Sequence, residues 1–158
     1  MKKYTTEIKW AFIFMLVTFL WMLFEKLMGW HDENIEQHAT YTNLYAIPAT
    51  LVYVFALWDK RKNDLSGKMT WKQGFISGLI ISVIIAIFTP LTTLITHQFI
   101  TPDYFETVSD YAVVSEQMTR EEAESYFSLQ NYILQGAIVA LLYGAVTSAI
   151  VSIFLRKK

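Results

Sequence analysis

Four stretches without a single charged side chain, residues 10–24, 37–58, 73–102 and 125–155, constrain this chain more than any other feature. A bilayer core about 30 Å thick is crossed by roughly 20 apolar helical residues. The three later runs meet that length directly. The first is interrupted by Glu25 and Lys26 but resumes through Leu27, Met28 and Gly29 to Trp30. From Trp10 to Trp30 the rise of a helix is about 30 Å. Tryptophan favours the membrane–water boundary, and Trp10, Trp30, Trp58 and Trp71 all fall at expected span ends, with Trp21 alone inside one. A helix in a water-soluble bundle would carry a polar face at 3.6 spacing. Residues 75–88, FISGLIISVIIAIF, are apolar all round, and 138–155 behave alike. The predicted fold is an all-α, integral membrane four-helix bundle with spans at about 8–30, 41–58, 73–97 and 132–155.

Charge orients such a bundle, because Lys and Arg stay on the cytoplasmic side. Of 13 basic residues, 11 fall before the first span, in loop 59–72 or after the fourth span; Lys26 and Arg120 are the exceptions. Of 14 acids, only Glu7, Asp59 and Asp64 share that side. The overall charge of −1 therefore resolves into +8 on one side and −9 on the other. Both termini are expected in the cytoplasm, with loops 31–40 and 98–131 outside. The N-terminal run lacks a small-x-small cleavage pattern and reads as a retained anchor. Balanced global charge offers nothing to nucleic-acid phosphates, and with no cysteine the chain has no disulfide, thiolate nucleophile or cysteine metal site.

The long outer connection carries helix signals. Thr101-Pro102-Asp103 resembles a cap, a first-turn proline and an acid in the preferred order. Tyr104, Phe105, Val108, Tyr111 and Ala112 then recur at spacings of three and four, and Thr119 with Glu122 forms a capping-box pair. Two amphipathic helices are expected on the outer face between spans three and four. Within those spans small residues repeat every fourth position: Gly74, Gly78, Ser82 and Ala86 in the third, Gly136, Ala140, Gly144, Ser148 and Ser152 in the fourth. Such stripes let two helix backbones approach closely. The third and fourth spans are expected to pack on each other through them, with self-association through one stripe as the rival.

Candidates for chemistry are sparse. Glu25 is the one acid within a tryptophan-bounded span, and intramembrane charge is costly and often functional. Asn43, Tyr45, Thr89, Thr92, Thr93, His97 and Gln135 lie at similar depth and could form a polar layer around it. The simpler expectation puts Glu25 near the headgroups with its carboxylate reaching outward. His31 and His38 sit seven apart in an acidic loop and are the nearest approach to a metal site, but no zinc spacing is met and no metal or other cofactor is expected. No catalytic serine–histidine–acid grouping or phosphate-cradling glycine loop is present, so an enzyme is not expected.

The Lys-Lys start, the segment Met69-Thr70-Trp71-Lys72-Gln73-Gly74-Phe75, the stretch Ile100-Thr101-Pro102-Asp103-Tyr104-Phe105, the Thr119-Arg120-Glu121-Glu122 segment and the basic tail together resemble a family of small four-span bacterial membrane proteins, domain of unknown function four-one-nine-nine. The resemblance implies four spans and a cytoplasmic-membrane location; it implies no activity or catalytic residue. The leading functional expectation is a non-enzymatic accessory or scaffold protein in contact with the lipid bilayer and with a second copy or another membrane protein. The alternatives are a small oligomeric transporter or channel using Glu25, and an extracytoplasmic metal-responsive sensor.

Overall fold

The computed structural model describes residues 4–157. In chain order its helices are α1 Thr5–Leu27, α2 Ile35–Tyr41, α3 Ala46–Asp59, α4 Trp71–Ile95, α5 Tyr104–Val114, α6 Arg120–Tyr126 and α7 Leu129–Leu155. Three helical stretches are long and apolar enough to cross a membrane: Thr5–Leu27, Trp71–Ile100 and Leu129–Leu155. The expected span at 41–58 takes a different form. Its α-helical part, α3, has only 14 residues and follows a tight 3₁₀ turn at Thr42–Tyr45. Pro48 explains the break, because it has no N–H to return to Leu44 and its ring crowds the preceding turn. In the first turn of α3 that missing donor costs little.

The long segments pack side by side, α1 against α3 and α4, and α7 against α4 and α3. The α4–α7 pair is the most extensive, and its register is the one the two small-residue stripes dictate. A Cβ added to Gly74 would lie 2.5 Å from Ser152 Oγ, one on Gly78 1.8 Å from Ser148 Oγ, and one on Gly144 1.8 Å from Ser82 Oγ. As the position rises by four on α4 it falls by four on α7, the signature of an antiparallel pair. Gly136 closes the series against Thr89. Both stripes are thus covered within the chain. Around this pair Ala11, Phe14, Ala49, Val52, Tyr53, Ala56, Ile81 and Ile85 form one buried cluster.

Large apolar side chains also cover the outside. Phe12, Leu16 and Leu20 on α1, Ile47, Leu51 and Phe55 on α3, Val83, Ile87 and Leu91 on α4, and Leu142, Val146 and Ile150 on α7 are all exposed. So many large exposed apolar side chains on four helices mark a surface made for something other than water. Inside, the Ser82 and Thr89 hydroxyls bond back onto their own helix, to Gly78 O and Ile85 O, whereas Ser148 Oγ and Ser152 Oγ at the seam have no hydrogen-bond partner among the described residues. Pro90 stands within α4 without ending it.

At the end that carries both described termini, loop and tail are tied together: Met69 and Lys157 exchange two backbone hydrogen bonds of 2.8 Å, and Arg61 donates to Leu155 O. The opposite end is closed by α2, α5 and α6. The Thr119–Glu122 capping box is formed as expected. The expected start of α5 shifts, however. Thr101 and Pro102 precede the helix, which begins at Tyr104. Thr101 instead closes the turn before, its N–H donating to Thr96 O and its hydroxyl lying 3.5 Å from His97 Nδ1.

Candidate functional site: a buried carboxylate between two imidazoles

Glu25 occupies the last full turn of α1 and is 0% exposed. The expectation that it reaches outward to the headgroups is corrected, and the cause is the turn that follows. Gly29 adopts φ +72°, a left-handed conformation that glycine takes at no steric cost. Trp30 N–H bonds back to Glu25 O at 3.0 Å, so the chain reverses over the helix end instead of leaving it. That reversal lays His31 on the carboxylate, with Nε2 2.9 Å from Oε2. Helix α2 then returns His38, whose Nδ1 stands 4.0 Å from the same oxygen. One helical turn before Glu25, Trp21 Nε1 donates to the other oxygen, Oε1, at 2.7 Å. Lys26 plays no part here; its ammonium pairs with Asp32 at 2.8 Å and holds that carboxyl below its ordinary range.

A second layer fixes the imidazoles. Tyr104, at the start of α5 and 3% exposed, has its hydroxyl 3.0 Å from His38 Nε2 and 3.1 Å from the Tyr132 hydroxyl of α7. Burial pushes the Tyr104 hydroxyl far above its ordinary value and holds the His38 imidazole below its own. The rings of His31 and His38 approach to 5.2 Å. Above them Trp30 stacks on Tyr41 at 4.9 Å, and His97 stacks on Phe105 at 4.0 Å. A carboxylate removed from water must be paired and hydrogen-bonded to be tolerated. Here the pairing comes from neutral-capable rings rather than from a fixed cation. Glu25, His31 and His38 each offer a ligand atom, and the three atoms lie within 4.8 Å of one another.

The polar layer expected around Glu25 divides in two. Tyr45, Thr89, Thr92 and Thr93, with Asn43 at the rim, line a cavity of about 380 Å³ between α1, α3, α4 and α7. Tyr45 bonds the Thr18 hydroxyl at 2.6 Å there, and the Asn43 amide bonds Ala39 O. His97 belongs instead to the aromatic layer beside Tyr104, and Gln135 is half-buried outside the cavity lining. Thr42 faces both the cavity and the Glu25 carboxyl. The orienting residues Trp21, Tyr104 and Tyr132 were not singled out from sequence. Trp21 alone left a signal, as the one tryptophan inside a span and four residues before the one intramembrane acid.

Over residues 9–157 the chain matches the family described as "Protein of unknown function (DUF4199)". The chain belongs to the DUF4199 family. No curated protein and no solved structure matches it. The DUF4199 match spans both the α4–α7 brace and every member of the buried cluster, from Trp21 to Tyr132.

Proposed function

We propose that this DUF4199 protein is a non-enzymatic, four-span accessory protein of the bacterial cytoplasmic membrane that works through the buried site around Glu25. Both termini lie in the cytoplasm on this reading, and the Glu25 end faces outward. The observation that carries it is a carboxylate with no exposure, held by two imidazoles under a lid of α2 and α5. Such a charge inside the apolar length of a span marks a functional site by default. The fourth crossing is the 3₁₀ turn and α3 together; residues 42–59 rise about 29 Å when the tighter turn is counted at about 2 Å per residue. Since the small-residue stripes are occupied within the chain, contact with a partner falls to the outer surface of α5 and α6.

Because the chain has no cysteine, orientation is directly testable with single introduced thiols. Gln117→Cys in the far-end connection should react with a membrane-impermeant maleimide in intact cells, and Ser66→Cys should react only after lysis. The reverse labelling would overturn the orientation, and labelling of both in intact cells would overturn the membrane-spanning arrangement. A second reading, a small transporter, draws on the 380 Å³ cavity, which falls within the range of small-ligand sites. Solute flux in liposomes that disappears in Thr89→Val or Glu25→Gln would favour it over the accessory role.

A further inference from the structure

We propose that Glu25, His31 and His38 form a binding site for a borderline divalent transition-metal cation of the zinc, nickel or cobalt(II) class. The proposal rests on reading this end of the molecule as a binding site, and it names the ligand.

The donor set fits that class. Two imidazoles and one carboxylate suit zinc and its neighbours, whereas calcium and magnesium call for shells of oxygen. Three protein ligands also leave a coordination position for water or a partner's side chain. The spacing fits as well. Metal–ligand bonds of about 2.0–2.1 Å set tetrahedral ligand atoms about 3.3 Å apart. The observed separations, 2.9 Å from His31 Nε2 to Glu25 Oε2 and 4.0 Å from His38 Nδ1 to the same atom, bracket that value. Small movements of the half-buried His38 ring would close the difference.

The surroundings supply outer partners for two of the three ligating groups, His38 and Glu25. Metal-bound imidazoles pass their other nitrogen to an oxygen partner, and ligating carboxylates are themselves hydrogen-bonded. His38 Nε2 has the Tyr104 hydroxyl at 3.0 Å, and Tyr104 can pass its own proton to Tyr132 at 3.1 Å. In that arrangement His38 Nε2–H donates, and Nδ1 presents its lone pair toward Glu25. Trp21 anchors Oε1 and leaves Oε2 to the metal. His38 Nδ1 is buried with no hydrogen-bond partner among the described residues, and so is His31 Nδ1. The first has its lone pair aimed into the cluster. For His31 to ligate through Nε2, that nitrogen presents its lone pair and any ring proton sits on Nδ1.

The test uses the full chain purified in detergent and stripped with a chelator. Cobalt(II) titration should give one saturable site per chain with the visible ligand-field bands of a four- or five-coordinate N/O site. His38→Gln and Glu25→Gln should each weaken binding by more than about 100-fold, and Tyr104→Phe by about 10- to 100-fold, the usual effect of losing an outer partner. Magnesium should not compete. Absence of saturable binding, or binding that survives both His31→Gln and His38→Gln, would overturn the proposal. Should those variants fail to fold, X-ray absorption of the wild-type zinc complex decides. Two imidazoles in the first shell support the site, and a shell of oxygens alone refutes it. Because this binding is measured on the isolated protein, its failure is separable from failure of the cysteine-labelling test of orientation.

Discussion

Helix α1 carries a buried carboxylate at each end, and the two are treated differently. Glu7 and Glu25 lie eighteen residues apart, about five helical turns, so they share one inward face, and both are essentially unexposed. At the terminal end Glu7 Oε1 accepts from Lys60 Nζ at 2.9 Å and from the Ser77 hydroxyl at 2.8 Å, while Lys60 also reaches Asp64. Asp59 nearby is held by Lys9, by Trp10 Nε1 and by Asn63. At the far end Glu25 meets His31 and His38 and, among the described residues, no lysine. Lysine is a permanent cation that donates only; imidazole changes tautomer, offers a lone pair and binds metal. One end is therefore locked by fixed charge. The other can exchange what it holds.

The widest break in this comparison comes from between the two ends. Gly78→Leu places a branched side chain where even a Cβ would meet Ser148 Oγ at 1.8 Å. Its cost should exceed the about 1–3 kcal/mol of ordinary overpacking, and the purified variant should lose its cooperative thermal transition; wild-type melting would contradict the α4–α7 register. Next in size is the paired substitution Glu7→Gln against Glu25→Gln. The first strips a hydrogen-bonded charge from an obligate cation and should cost about 1.5–3 kcal/mol. The second should cost about 1 kcal/mol or less, because His31 can present its other tautomer to the amide. Equal losses in chemical denaturation would erase the distinction between the ends.

The smallest effect lies outside both. Thr119 N–H and its hydroxyl hold the exposed Glu122 carboxyl below its ordinary value. A lowered folded value means that this contribution is complete above the ordinary carboxylate range and is lost as pH falls through the folded value. Amide protection factors in α6, taken relative to the unfolded-chain rate at each pH, should fall at acid pH, and Thr119→Ala should remove that dependence while leaving both ends of α1 unchanged.

Much of the fold is legible in the sequence because its signals are local or periodic. The stripes at Gly74, Gly78 and Ser82 and at Gly144, Ser148 and Ser152 name their own pairing, and the Thr119–Glu122 box forms as written. The shortness of α3 was within reach too, since Pro48 falls inside an expected span. The candidate site was harder. Helical spacing cannot bring His31 onto Glu25, because the contact exists only through the reversal at Gly29. Tyr104 and Tyr132 arrive from helices far along the chain, and no spacing in the sequence links them to His38.

Thermal unfolding of three proteins with and without zinc, namely wild type, Glu7→Gln and Glu25→Gln, tests the central claim most directly. A metal held only by the folded state stabilises it by about 2.7 kcal/mol at one hundred times its dissociation constant. Wild type and Glu7→Gln should both shift upward by that measure, and Glu25→Gln should not move. Equal shifts in all three, or none in wild type, would contradict the assignment of the far end of α1 as the site where this protein binds its ligand.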